Sequence, residues 1–325
     1  MRRLPTALAV TAAAALALAG CGTTEPAADN SSSPSARSIT LTDATGAKVK
    51  LDGPAKKVVG TEWDVVEDLV SLGVHPVGVA DVKGYTAWDT SAPLTNSPKD
   101  IGTRGEPSTD TVAALAPDLI VATTDLKPAV VEQLKKIAPV LEMQSADASD
   151  QIGRMKKNLG LIAEATGTTA KAEELKKGFD AKIAEGRKAL ADAGLAGRRV
   201  AFGDGYVVSN QVSVRPYTSG SLIGTVNEKL GLRNAWTVKG DEKYGLATTD
   251  VEGLTGLGDV QFAYIGNKAD GSDPFTVGLA ENPVWKGLPF VKKDNVHRLP
   301  DGIWMFGGPR AMEAYVDALV GALTK

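Results

Sequence analysis

AKAEELKKGFDAKIAEGRKALADA, residues 170–193, is the stretch on which the architecture turns. It consists almost wholly of residues that favour helix, with alanine, lysine, glutamate and leucine dominating and no proline to interrupt them. A helix of about 24 residues spans roughly 36 Å at 1.5 Å per residue, enough to cross from one domain to another. The helix-forming composition already begins at Asp150 and breaks only at Thr166-Gly167-Thr168-Thr169, where a helix is expected to stop and restart on a threonine cap.

On either side of this segment, short apolar runs alternate with amphipathic segments of helix length, the pattern of sheets flanked by helices. Before it, Ile39-Thr-Leu-Thr and Lys48-Val-Lys-Leu, joined through Ala44-Thr45-Gly46, predict a hairpin. Strands are then predicted at Lys57–Gly60, Val77–Val79, Leu119–Ala122 and Val140–Met143, with helices at Val65–Leu72, Thr109–Leu115 and Pro128–Ile137. After it the alternation resumes with Arg199–Phe202, Ser221–Leu230, Glu252–Leu257, Val260–Ile265, Pro283–Gly287, Val296–Leu299 and a final helix Pro309–Leu323. The expected fold is α/β, with two α/β lobes joined by a single long helix: one lobe over 39–168, the helix over 169–194, the second lobe over 195–325. The lobes echo one another. Asp110 precedes Leu115 by five positions and Asp118 opens a strand; Glu252 precedes Leu257 by five and Asp259 opens a strand.

The chain has 325 residues, 43% hydrophobic and 23% charged, the balance of a folded protein and not of a disordered one. Its 36 basic residues are scattered among 39 acidic ones, so no basic stripe suits nucleic acid. One cysteine and two histidines, His75 and His297, exclude a four-ligand His/Cys metal cage and internal disulfides. The opening MRRLPTALAVTAAAALALAGCG carries Arg2 and Arg3 before a short apolar run, which predicts a secretory signal over 1–20. Its end, Leu18-Ala19-Gly20-Cys21, resembles the bacterial lipoprotein signal, in which Cys21 is lipidated and becomes the mature N-terminus. The protein is therefore expected to be extracytoplasmic, held at the cell membrane through Cys21. The stretch over 21–38 is rich in Ser, Ala, Pro and Thr and is expected to be a flexible tether.

Enzyme motifs fail. Gly203-Asp-Gly205 begins like a dinucleotide fingerprint, but Val208 stands where the third glycine belongs. No phosphate-binding Gly-Lys-Ser/Thr occurs, and Gly220-Ser221-Leu-Ile-Gly224 is not a nucleophile elbow. What remains is the placement of aromatics. They make up only 5% of the chain, yet Trp63, Tyr85, Trp88, Tyr206, Tyr217, Tyr244, Trp304 and Phe306 fall at positions that read as loops after strands. Rigid rings at the carboxyl ends of strands suit the wall of a ligand crevice.

The ordered series Val58-Val-Gly-Thr-Glu62-Trp63, Glu67-Asp68-Leu, Pro76-Val-Gly-Val-Ala80-Asp81, Tyr85-x-x-Trp88, Ile101-Gly102-x-Arg104-x-Glu106-Pro107 and Leu115-x-Pro117-Asp118-Leu119-Ile120 resembles the ferric-siderophore branch of the helical-backbone periplasmic binding proteins. The second half adds Asn234-Ala235-Trp236, Pro283-x-Trp285, Leu288-Pro289-Phe290-Val291 and Trp304-x-Phe306-Gly307. The resemblance runs from about Ile39 to Leu323 and is most marked for the ferric-hydroxamate binders. It implies a ligand cleft between the lobes, a ferric siderophore as ligand with no cofactor, iron held by the chelator and not by protein atoms, and a monomer that delivers its cargo to an ABC permease. Trp63, Trp88, Tyr244, Trp304 and Phe306 match wall positions of that family; Arg104 and, with Tyr217 beside it, Arg215 are the expected contacts to hydroxamate oxygens. Asp110 and Glu252 match the acidic residues that meet arginines of the permease, Asp110 departing from the usual glutamate. Tyr244 stands where such proteins carry a tryptophan, and Thr123-Thr124-Asp125 occupy the loop where they carry a tyrosine. The alternatives are the same scaffold binding a catecholate, haem or cobalamin, or a secreted siderophore esterase.

Overall fold

The computed structural model describes residues 38–208 and 211–325; the expected signal segment, Cys21 and all of the tether but Ser38 lie outside the described residues. The chain opens with the predicted hairpin, β1 (Ile39–Thr42) and β2 (Lys48–Leu51), paired antiparallel with Thr42 opposite Lys48. Gly46 turns it at φ +87°, where a side chain would be strained. There follow β3 (Val58–Gly60), α1 (Trp63–Ser71), β4 (Gly78–Val79), α2 (Val82–Trp88), β5 (Lys99–Asp100), the small ribbon β6 (Gly102–Thr103) and β7 (Glu106–Pro107), α3 (Thr109–Leu115), β8 (Leu119–Thr123), α4 (Pro128–Leu134) and β9 (Val140–Met143). These form a parallel sheet in the order β5-β4-β3-β8-β9. Its central strand β3 and the neighbouring β8 are buried at every position, as a sheet covered on both faces requires.

α5 (Gln151–Thr166) and α6 (Thr169–Asp192) cross to the second lobe. Gly167 ends α5 in the left-handed conformation, but Thr168 does not cap α6: its hydroxyl pairs with that of Thr166 at 2.9 Å and leaves the helix start without a side-chain acceptor. The second lobe holds β10 (Arg199–Val208), β11 (Gln211–Pro216), α7 (Leu222–Lys229), β12 (Arg233–Asn234), a 3-10 turn Glu252–Leu257, β13 (Gln261–Tyr264), a single π-helical turn Pro274–Gly278, α8 (Pro283–Gly287), α9 (Pro289–Lys292), β14 (Val296–Arg298) and α10 (Pro309–Leu323). Its sheet runs β11-β10-β13-β14, parallel except for the antiparallel β10–β11 pair. The expected strand Arg199–Phe202 is thus longer than predicted. Gly203 and Gly205 lie within β10, opposite Pro216 and Val214, and not in a loop after it.

One apolar cluster runs through both lobes, from Trp63 and Val66 in α1 through Phe179 and Leu190 in α6 to Phe202 in β10 and Met312 and Tyr315 in α10. α6 carries Gly186 where α10 passes, because a Cβ there would lie 2.7 Å from Val316 Cγ1. The start of α10 has no capping side chain of its own; Glu67 of α1 accepts from the backbone N–H of Gly308 at 2.5 Å and of Ala311 at 2.9 Å. A carboxylate at that end complements both the free N–H groups and the helix dipole, and here it joins the lobes. No helix among the described residues is long and apolar enough to cross a membrane.

Candidate ligand site

A cavity of about 1170 Å³ opens between the lobes, lined by residues of both. It receives the loops and helix starts that follow β3, β4, β9, β13 and β14, the carboxyl ends of the strands, where an open α/β sheet presents its ligand crevice, together with the outer part of the β10–β11 hairpin itself. An aromatic band forms its floor. Trp63 and Trp304 meet edge to face at 4.7 Å, Trp88 meets Trp304 at 6.1 Å, Trp304 meets Phe306 at 5.1 Å, and Phe306 meets Tyr244 at 5.6 Å. Each ring packs against the next, so the wall is continuous from Trp88 to Tyr244. Trp63 is held further by its indole N–H, which donates to Ala80 O at 3.2 Å.

Two guanidinium groups lie on this band, one from each lobe. Arg104 places its Cζ 4.0 Å from the Trp63 ring centroid and 5.3 Å from that of Trp304, and its Nη1 donates to Glu62 Oε1 at 2.7 Å. Its partner is Glu62 and not the neighbouring Glu106, which pairs with Lys127 instead. Arg215, on β11, lies 5.4 Å from the Phe306 ring and grips Asp204 of β10 with Nε and Nη2, the first at 2.9 Å. Asp204 and Arg215 sit directly opposite each other across the hairpin, the cross-strand position in which opposite charges attract.

Of the eight ligand-contact residues expected from the sequence, Trp63, Trp88, Arg104, Arg215, Tyr244, Trp304 and Phe306 line this one cavity. Tyr217 does not. It is 1% exposed beneath Phe306, and its hydroxyl donates to Asp204 Oδ2 at 3.1 Å, so it supports the Arg215–Asp204 pair from behind. Asp110 and Glu252 lie away from the cavity, exposed at the starts of α3 and of the 3-10 turn.

Several lining groups escaped sequence reasoning: Glu62, Asp64, Asp81, Lys83, Asp204, Asn267 and Asp270. Asn267 and Asp270 follow β13, so the carboxyl-end rule would have found them. Asp204 had no such signal, because the flanking glycines disguised its strand. Burial, with the Glu62 carboxylate adding to it, pushes Asp64 up to about 7. The far ends of the cleft are tied across the lobes. Trp88 Nε1 donates to Asp270 at 3.2 Å and Asn267 Nδ2 to Ala87 O at 2.7 Å. At the other end Asp125 accepts from Ser145 at 2.7 Å and also from Lys243 and Tyr244. Asp125 belongs to the loop in which a tyrosine was expected and not found; here that loop holds the Tyr244 ring in place through its hydroxyl. Among the described residues no three His, Cys, Asp or Glu side chains are grouped to hold a metal ion.

Two α/β lobes, a single long helix between them and an aromatic cavity in the cleft define a solute-binding protein. The chain belongs to the periplasmic binding protein family, whose model matches residues 58–302. It is 25% identical over 327 residues to the probable siderophore-binding lipoprotein YfiY of Bacillus subtilis, covering 94% of this chain and 93% of that one. It is 29% identical over 310 residues to the Fe(3+)-citrate-binding protein YfmC of the same organism, covering 92% and 90%. Among solved structures, the siderophore-binding protein FhuD of Vibrio cholerae, bound to Fe3+-Desferal, superposes with a TM-score of 0.73 at 24% identity, over 83% of this chain and 98% of that one. The family resemblance and the two-lobe fold expected from the sequence therefore hold, and the protein is a binding protein and not an enzyme.

Proposed function

We propose that this chain captures an iron(III)–siderophore complex in the cleft, with a hydroxamate of the ferrioxamine type as its preferred ligand, and delivers it to an ABC permease as a monomer anchored through acylated Cys21. The carrying observation is the charge of the cavity. Glu62, Asp81, Asp204 and Asp270, with Asp64 partly protonated near neutral pH, line it against only Lys83, Arg104 and Arg215, and both arginines already hold a carboxylate. A tris-catecholate complex bears several negative charges and would have to compete with those carboxylates for the same guanidinium groups. A ferric hydroxamate is neutral or, with a pendant amine, cationic. It asks only for N–H donors toward its oxygens, which the remaining N–H groups of Arg104 and Arg215 supply, and for apolar surface against its linkers, which the aromatic band supplies. Similarity to the siderophore binder YfiY and to a Desferal-bound fold supports the ligand class; similarity to a citrate binder makes ferric citrate the competitor to beat.

The test is a titration of the protein's tryptophan fluorescence with ferrioxamine B, a ferric tris-catecholate, ferric citrate and haem. Trp63, Trp88 and Trp304 all lie at the cavity, so occupancy is expected to quench them. Ferrioxamine B should bind most tightly and more tightly than its iron-free form; tighter binding of catecholate, citrate or haem would overturn the hydroxamate assignment.

A further inference from the structure

Four large apolar side chains stand exposed among the described residues: Tyr206 at 48%, Val207 at 52%, Val238 at 42% and Val277 at 61%. Three of them belong to one place. Tyr206 and Val207 lie near the outer end of β10, opposite Ser213 and Val212 of β11, and Val277 lies on the π-helical turn packed against that hairpin. A Cβ on Gly278 would come within 3.0 Å of Val212 Cγ2 and 3.9 Å of Val207 Cγ2, which fixes the neighbourhood. A Cβ on Gly205 would lie 3.1 Å from the Phe275 ring, so the glycine lets the hairpin press against the same turn. Tyr206 and Val207 also line the cavity, with Pro274 of the turn beside them. Apolar side chains gathered at the mouth of a binding cavity and left in water mark a surface that something covers.

We infer that Tyr206 and Val207 form an apolar lip that closes on the methylene spacers of a linear hydroxamate chelate, and so selects spacer-bearing complexes over iron complexes that lack spacers. The inference rests on the hydroxamate reading above and adds a specificity device to it. The arginines deal with the oxygens of the iron core, which every hydroxamate complex shares. The spacers are what distinguish one such complex from another, and they are apolar. The occupant is the ligand and not the permease because both residues line the cavity that holds Arg215 and Trp88, Tyr206 from the face of β10 that carries Asp204 and Val207 from the face that meets the π-helical turn.

The experiment compares the full chain with its Tyr206→Ser/Val207→Ser double variant by calorimetric titration against two probes: ferrioxamine B, and ferric tris-acetohydroxamate, which has the same six-oxygen iron core and no spacers. The variant should lose roughly 10- to 50-fold in affinity for ferrioxamine B, the scale of two half-buried apolar side chains, and nothing toward the acetohydroxamate complex. Because both positions are exposed, its melting temperature should be unchanged. Equal loss toward both probes, or no loss toward either, overturns the lip while leaving the hydroxamate assignment standing. Intact binding with failed iron uptake in cells also overturns it, assigning the patch to the permease instead. A wild-type chain that binds neither probe overturns the hydroxamate reading and the lip together.

Discussion

Arg104 and Arg215 reach the cavity from different lobes by the same device, a guanidinium laid on an aromatic ring and tied to a carboxylate. The ring and the carboxylate orient the fork, and the N–H groups left over are the ones a ligand oxygen can take. Arg104→Ala is expected to weaken ferric hydroxamate binding by about 1.5–3 kcal/mol, the range for a charge-assisted hydrogen bond, while Arg104→Lys, which keeps the charge and loses the fork, should fall between. Calorimetry is the measurement, since Trp63 lies under Arg104 and its emission will change with the substitution itself. Unchanged affinity in a folded variant would reduce Arg104 to a partner for Glu62. The ring positions were legible in the sequence because aromatics are scarce and stood beside glycines and strand ends, and Arg104 because it stands in the Arg-x-Glu-Pro stretch that carries the family resemblance. Tyr217 was misjudged on the same signal: it too follows a strand, but nothing in a sequence separates a ring on the cavity wall from one that supports the wall from beneath.

At the level of elements, the junction of α1 with α10 carries most of the unusual electrostatics. Glu67, Asp68 and Asp89 are all buried there, and burial pushes the Glu67 and Asp68 carboxyls well above the ordinary carboxylate range, reinforced by repulsion from Asp89 and Asp68 at Glu67 and from Asp64 and Asp89 at Asp68. Glu67 is compensated by the N–H groups of α10, whereas Asp68 Oδ1 is buried with no partner. A carboxyl whose pKa is higher folded than unfolded holds a proton that the unfolded chain has released, so its contribution to stability falls as pH rises from about 4 toward the folded value. Asp68→Asn should therefore raise the melting temperature at pH 8, by an amount of order 1–3 kcal/mol in stability, and should change little at pH 4. Melting curves of both proteins at the two pH values check this; parallel behaviour would mean that Asp68 is solvated or paired in solution. Elements differed in how well the sequence disclosed them. The long helix was plain from composition, and it runs over Thr169–Asp192. The β10–β11 hairpin was hidden, because Gly203 and Gly205 read as loop when one of them is there to make room for Phe275.

Across the whole molecule, the echo between the lobes has a structural counterpart. Asp118, at the start of β8, accepts from the backbone N–H of Lys56 and Lys57 just before β3, the strand with which β8 pairs. Asp259, before β13, pairs with Arg198 just before β10, the strand with which β13 pairs. The acidic residue thus ties corresponding strand starts in both lobes, and the preceding helix or turn carries Asp110 in its first turn in one and Glu252 in the other. The capping role at each start is filled two positions earlier: Ser108 accepts from Thr111 N at 3.2 Å and Asp250 from Gly253 N at 3.1 Å. Asp110 and Glu252 are left exposed, with no side-chain hydrogen bond or ion pair among the described residues, at matching places on two lobes. That supports the docking reading, in which each carboxylate meets an arginine of the permease, over a capping one. Interaction with the helix dipole is the remaining alternative, worth about 0.3–1 kcal/mol of stability. The Asp110→Ala/Glu252→Ala double variant is expected to bind its ferric chelate with unchanged affinity and to melt within a few degrees of the wild type, yet to fail in restoring uptake of radiolabelled ferric chelate to cells that lack the native protein. Normal uptake together with a lowered melting temperature would assign both carboxylates to the helix dipole. Loss of uptake in only one of the two single variants would show that the permease reads the lobes unequally, with Asp110, whose side chain is shorter than the glutamate usual at that position, the expected weaker contact.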